Sequence, residues 1–274
     1  MNKLEKLAYR LIKKDYPLEQ FYALLQSIFG LTEDPELLYQ TLLARGFPLA
    51  QKDDHILLKT AKTPFLKQEF VVVDIETNGS KPEFSQIIEI GAIKFQGSEI
   101  IDRFESFVFA EEVPEYITKL TGIELDDLAH APGQKEVLLA FKKFLGDSVF
   151  VAHNVNFDYN FISRKLEQLG YEKLANRKLC SIDLARKTIQ SERYGLEYLN
   201  ENLGINTLVS HRAYADALTA YKLVQMALEK IPDEIITTED LIKFSKSAKK
   251  TKKATKASES TSLPADLPSC SQQS

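Results

Sequence analysis

Four apolar residues in a row, Phe70 to Val73, run into two acids, Asp74 and Glu76, in F-V-V-V-D-I-E-T-N-G. A run this short and this apolar predicts a strand buried on both faces, the kind found at the centre of a sheet covered by helices. Side chains alternate along a strand, so Asp74 and Glu76 share one face at its end. Asn78 and Gly79 break the run, and Gln86 to Phe95 and Glu99 to Phe109, joined by Gln96-Gly97-Ser98, supply two further strands. The main fold is therefore expected to open as an antiparallel meander with two carboxylates at the end of its first strand.

Two later segments also place an acid at a junction. Ser148 to Ala152 is another short apolar run, His153-Asn154 ends it, and a helix is expected from about Asn156 to Leu169, stopped by Gly170. Asp158 falls in its first turn, where the helix dipole favours a carboxylate and the strand-to-helix junction aims it at neighbouring strand ends. H-R-A-Y-A-D, from His211 to Asp216, leads into an amphipathic helix through Ala217, Leu218, Ala220, Tyr221, Leu223, Val224, Ala227 and Leu228. In a regular helix His211 and Asp216 would face about 140° apart, so His211 is expected on the preceding loop. Taken singly, each acid also reads as a solvated surface group. Gathered at one point, carboxylates repel by roughly 4 kcal/mol per pair at about 4 Å and an effective dielectric near 20, so a cluster needs cations. Mg²⁺ is the natural guest of all-oxygen donors.

D-I-E-T-N-G, A-H-N-V-N-F-D and H-R-A-Y-A-D, in that order, resemble the three motifs of the DEDDh 3′ to 5′ exonucleases, above all those of the epsilon proofreading subunits of bacterial DNA polymerase III. The resemblance runs from about Phe65 to Lys230 and takes in L-T-G-I at Leu120 to Ile123 and C-S-I-D-L-A-R at Cys180 to Arg186. Asn78 stands where many relatives carry a second Thr. The resemblance implies an α/β fold of the ribonuclease H-like kind, a mixed sheet flanked by helices. It also implies that Asp74, Glu76, Asp158 and Asp216 hold two divalent cations, Mg²⁺ or Mn²⁺, and that His211 is the general base. Two ions about 3.5 to 4 Å apart can clamp a scissile phosphate, one acidifying the attacking water and the other stabilising the leaving oxygen. Asp74 is the expected bridge between them. An imidazole suits the base because its reference pKa of about 6.5 lies near the working pH.

Other residues are weaker candidates. Asp183 follows Ser181 and is expected at a helix N-terminus, favoured by the dipole. His153 is a candidate contact to substrate phosphate, although a structural role at a strand end suits it better. Thr77, Asn78 and Gly79, just past the acid pair, are candidate contacts to the terminal nucleotide.

The 274 residues, 44% apolar, suffice for a main domain of about 170 residues and something smaller. No apolar stretch approaches the roughly 18 residues of a membrane span, and M-N-K-L-E-K-L-A-Y-R lacks the apolar core of a signal peptide. Cys180 and Cys270 are too few for a disulfide framework or a zinc site, so a reducing cytoplasm is the expected setting. Residues 1–62 read as a small helical, winged-helix-like domain. Leu4, Leu7, Ala8, Leu11 and Ile12 form one stripe, Asp15 caps a second helix that Gly30 stops, and Asp34-Pro35 opens a third that Gly46 closes. His55 to Lys59 reads as a strand. This domain is expected to pack on the rest or to touch DNA or a polymerase. Residues 65–232 are the expected exonuclease domain, and residues 243–274 a disordered basic tail. The tail holds seven Lys against Glu259 and Asp266, a net +5, so the preceding 242 residues carry −9 of the chain's total of −4.

The function expected from the resemblance is a 3′ to 5′ exodeoxyribonuclease. It would act on single-stranded or frayed DNA 3′ ends and proofread beside the catalytic subunit of a replicative DNA polymerase. An RNA 3′-end trimmer of the same family and an inactive polymerase-bound adaptor are the alternatives.

Overall fold

A computed structural model describes residues 1–32, 34–205 and 211–246. Its N-terminal part runs α1 (Lys3–Lys13), β1 (Tyr16–Pro17), α2 (Leu18–Phe29), α3 (Pro35–Ala44), β2 (Leu49–Lys52) and β3 (His55–Leu58). β3 lies between β1 and β2 and is antiparallel to both, the order of elements of a winged helix. α1 buries Leu7, Ala8 and Leu11 in one core with Phe21, Leu25, Ile56 and Leu58, whereas Ile12 is exposed. α3 begins as its sequence dictates: the Asp34 carboxylate accepts a hydrogen bond from the Glu36 N–H at 2.9 Å, and Pro35 occupies the first turn. Asp15, by contrast, does not cap α2. Tyr16 and Pro17 are drawn into pairing with Ile56 and His55, the helix starts only at Leu18, and Asp15 instead pairs with Lys62 at 3.0 Å.

The chain continues through α4 (Lys59–Lys62) and a 3-10 turn (Phe65–Lys67) to β4 (Glu69–Thr77), β5 (Ile87–Gln96) and β6 (Glu99–Phe107). Then come α5 (Glu115–Thr121), α6 (Leu125–Leu128), α7 (Gln134–Leu145), β7 (Val149–Ala152), α8 (Val155–Gln168) and β8 (Lys178–Cys180). The last elements are α9 (Ser181–Thr188), α10 (Leu196–Asn202), α11 (Ala213–Leu228) and α12 (Thr238–Lys246). Five strands make one mixed sheet in the order β6-β5-β4-β7-β8. β4, β5 and β6 form the expected meander, and β7 and β8 run parallel to β4. This is the ribonuclease H-like arrangement. No helix among the described residues is long and apolar enough to cross a membrane.

Alternation along β4 divides the core in two. Phe70 and Val72 pack with Ile93, Phe95, Val149 and Val151 under α9, α11 and α12, while Val71, Val73 and Ile75 pack with Phe141, Phe150 and Ile162 on the side of α7 and α8. Asp74 and Glu76 continue the face of Phe70 and Val72, which is the face that α11 covers.

α12 is a helix that the lysine-rich composition conceals. Thr237 and Asp240 cap each other: the Asp240 carboxylate accepts from the Thr237 N–H at 3.0 Å, and the Thr237 hydroxyl accepts from the Asp240 N–H at 3.2 Å. Leu241, Ile242 and Ser245 are buried beneath it. Lys243 and Lys246, where the basic tail was expected to start, therefore belong to a packed helix, and the core continues past residue 232. The remainder of that expected tail, 247–274, lies outside the described residues.

The N-terminal unit is fastened to the sheet body by backbone and charge. The Ala175 N–H donates to the Arg45 carbonyl at 2.7 Å, and the Arg45 Nε donates to the Lys173 carbonyl at 2.8 Å. Gly46 has a φ of +80°, and a Cβ there would lie 2.5 Å from the Gly146 carbonyl oxygen, so this approach requires glycine. Buried Arg177 donates to both Glu239 oxygens, at 2.6 and 2.7 Å, and to Glu5 at 3.2 Å, while the Thr60 hydroxyl donates to Glu239 at 2.7 Å. One charged group thus ties α1, α4, the entry to β8 and α12 together. Arg177→Ala would leave Glu239 buried without its counter-ion, and breaking such a pair costs about 3–5 kcal/mol. Urea unfolding is expected to show a loss of that size; a loss below about 1 kcal/mol would remove the pair from this role.

Candidate active site

Asp74 and Glu76 stand at the C-terminal end of β4, and the register of β4 with β5 sets Asp74 opposite Gly91 and Glu76 opposite Glu89. A Cβ on Gly91 would lie 2.2 Å from the Tyr214 nitrogen and 2.3 Å from the Ala213 carbonyl carbon. The first turn of α11 therefore rests directly on the β5 backbone, and this contact delivers Asp216 to the two strand acids. Asp74, Glu76 and Asp216 each present one carboxylate oxygen, and the three oxygens lie within 4.8 Å of one another. Asp158, buried in the first turn of α8, is outside that trio. Its charge is felt by Asp74.

His211 occupies the turn before α11, as expected, with a φ of +58°. Its N–H donates to Asp216 Oδ2 at 3.1 Å. With Asp216 it lines a cleft of about 310 Å³ walled by Gly195, Glu197 and Tyr198.

The carboxylates are poor anions in this setting. Burial, then the charges of Asp158, Glu76 and Asp216, hold the Asp74 carboxyl well above the usual range. Burial and the charges of Asp216, Glu89 and Asp158 push Glu76 up to about 8, with Arg212 pulling the other way. Burial raises Asp158 to about 7 against its backbone hydrogen bonds, and raises Asp216 against the His211 N–H. Converging oxygens that share excess negative charge, with no sulfur or imidazole among them, fit a hard divalent cation such as Mg²⁺ or Mn²⁺.

The sequence reading lacks the group that holds α11 in place. Glu89 is 1% exposed, and its carboxylate accepts from Arg212 Nη2 at 2.8 Å, from Arg212 Nε at 3.2 Å and from the N–H of Ala213, the first residue of α11, at 2.9 Å. The Arg212 guanidinium also lies 5.1 Å over the Phe107 ring. A signal for the pair exists in I-I-E-I-G-A-I, because a charge inside a continuous apolar run requires a buried partner.

The weaker candidates each make contacts within the protein. The Thr77 hydroxyl donates to the Gly79 carbonyl at 2.9 Å, and Asn78 Oδ1 accepts from the Gln86 N–H at 2.6 Å, so these residues shape the loop beside the acids. His153 Nε2 lies 2.8 Å from the Tyr194 carbonyl and Nδ1 2.9 Å from the Ser181 hydroxyl, contacts of the kind the structural role at a strand end calls for. Asp183 sits in the first turn of α9, 3.8 Å from Arg186.

Raised carboxyl pKa values have a stability consequence of definite sign. The folded chain keeps the Glu76 proton up to about pH 8, whereas the unfolded chain releases it near 4.5, so the stability linked to that proton is present at low pH and lost as pH rises across this window. In EDTA, Glu76→Gln is therefore expected to gain Tm relative to wild type steadily between about pH 5 and 8. A difference in Tm that does not change with pH would contradict the assignment.

Comparison with known proteins agrees with this geometry. Residues 71–224 match the RNase_T exonuclease family model. The chain is 39% identical over 189 residues to the PolC-type DNA polymerase III of Staphylococcus aureus, an alignment covering 68% of this chain but only 13% of that protein. Among solved structures it resembles E. coli Exonuclease I in complex with a dA16 oligonucleotide, with a TM-score of 0.55, 16% identity, and coverage of 61% of this chain and 42% of that one. It also resembles Exonuclease X in complex with 5′ overhanging duplex DNA, with a TM-score of 0.52, 19% identity, and coverage of 64% and 99%. At these identities the structural similarities are similarities of fold. The family match spans more than half of the sequence and contains every acid of the cluster, so the chain belongs to the DEDDh exonuclease family.

Proposed function

We propose that this chain is a divalent-metal-dependent 3′ to 5′ exonuclease that releases nucleoside 5′-monophosphates from DNA 3′ ends. The observation that carries the proposal is the convergence of Asp74, Glu76 and Asp216 within 4.8 Å, with Asp158 beside them and His211 on the rim. Asp74, Glu76, Asp158 and Asp216 would hold two ions, Mg²⁺ or Mn²⁺. When bound, the ions supply Lewis acidity at the phosphate and lower the pKa of the attacking water.

The remaining work falls to the protein. His211 takes the proton from the attacking water, and its backbone bond to Asp216 keeps the imidazole close to the acids. Glu89 and Arg212 keep that segment seated on β5. The loop from Thr77 to Gly79 borders the space beside the acids where a terminal nucleotide would lie, and the cleft at His211 admits it from the α10 side. Proofreading beside a replicative polymerase is supported by the 39% identity to a chain that is itself a DNA polymerase.

Paired 5′-labelled DNA and RNA oligonucleotides of one sequence, incubated with Mg²⁺, Mn²⁺ or EDTA, test this. Stepwise loss from the DNA 3′ end is expected only with metal. Asp74→Ala should abolish it, and His211→Ala should lower kcat by about a hundredfold to ten-thousandfold while leaving the fold intact. Faster loss of RNA would make the chain an RNA trimmer, and digestion of neither would make it an inactive adaptor.

A further inference from the structure

A second feature of the molecule is a charge pattern on the N-terminal unit. Within the acidic body, α1 carries exposed Lys3, Lys6, Arg10 and Lys13. At about 100° per residue these four fall within about 80° of one another, along one exposed face of the helix. They form a basic stripe about 15 Å long. Tyr9, 49% exposed, flanks the stripe with Lys13 Nζ 4.2 Å from its ring centroid. Lys13 and, from α12, Lys243 and Lys246 line a groove of about 500 Å³, with Lys246 Nζ 3.6 Å from Glu5. Five further Lys follow between positions 249 and 256 of the sequence. The elements that would read DNA in a winged helix are differently charged. α3 has no Lys or Arg, and the hairpin between β2 and β3 carries Asp53 and Asp54.

We propose that the α1 stripe, together with the end of α12, is a phosphate-binding surface that grips duplex DNA upstream of the 3′ end being digested. The proposal rests on the reading that the chain acts on nucleic acid. Its place in the fold sets a length requirement. Glu5 on α1 binds Arg177, which enters β8 level with Phe70, whereas the acids lie at the other end of β4. From Phe70 to Glu76 is about 20 Å of strand. A nucleic acid held at both places must bridge that distance, about six phosphates at 3.4 Å each. A strand of about four nucleotides reaches the acids alone. The stripe thus separates binding of long substrate from turnover of short substrate.

The test compares wild type with the triple variant K6Q/R10Q/K13Q, both as full chains of equal Tm. Fluorescence anisotropy in EDTA gives Kd for a duplex of about 24 base pairs with a short 3′ overhang over a range of salt concentrations. Each lost phosphate contact removes about 0.9 from the slope of log K against log salt, so the slope should become shallower by about 2 to 3 and Kd should rise about tenfold or more. Digestion of a strand of about four nucleotides with Mg²⁺ should be unchanged, and K6R/K13R should bind as wild type does. Equal duplex affinity and equal slope in wild type and triple variant would overturn the proposal and leave α1 a solvated face. A slope lost in a protein that digests no nucleic acid would uphold the stripe and overturn the nuclease reading.

Discussion

Three carboxylates share a few ångströms in this protein because the α11 backbone crosses β5 at a residue with no side chain. Gly91 lets Ala213 and Tyr214 lie on the strand, and Glu89, two residues earlier on β5, fastens the same turn through Arg212 and the Ala213 N–H. Without that seat Asp216 would stand off from Asp74 and Glu76, and the like charges would drive it further. Folding energy from the surrounding core thus holds together groups that repel, as active sites often require. Burial first, and then the charges of the neighbouring acids, hold the Asp74 and Glu76 carboxyls above their usual range, and a bound cation relieves the repulsion.

Much of this was legible in the residues. The apolar run from Phe70 to Val73 marks the central strand, Gln96-Gly97-Ser98 marks the hairpin, and the alternation that places Asp74 and Glu76 on one face follows from strand geometry. The place of His211 before α11 followed from helical spacing, because five residues cannot return to the same face. What escaped depends on partners distant in sequence. Asp15 has the right residue type for a cap, but pairing of Tyr16 and Pro17 with β3 keeps the backbone extended there. β8 is three residues long and is a strand only because β7 lies beside it. Glu89 pairs with Arg212, 123 positions away, and no local pattern names that partner. α12 was hidden by lysines that lie on its outer side, although the Thr237 and Asp240 capping pair announced its start.

Charge is distributed with the same economy as the core. The Arg177 group neutralises acids inside the molecule, where α1, α4 and α12 meet. Outside, basic residues collect on α1 and α12, far along the sheet from the acid cluster. An acidic body with a localised basic face orients a polyanion rather than binding it everywhere. The acid cluster and the basic face can then engage different parts of one polyanion.

The central claim is that the acid cluster is incomplete without cations and exchanges protons for them. Calorimetric titration of the full chain with Mg²⁺ at pH 7, in buffers of different ionisation heat, measures both the binding and the protons released. With Glu76 raised to about 8 and Asp158 to about 7, binding should release about one proton or more at pH 7 and clearly fewer near pH 9, and Asp216→Asn should weaken it. Binding without proton release, or no binding at all, would contradict the account.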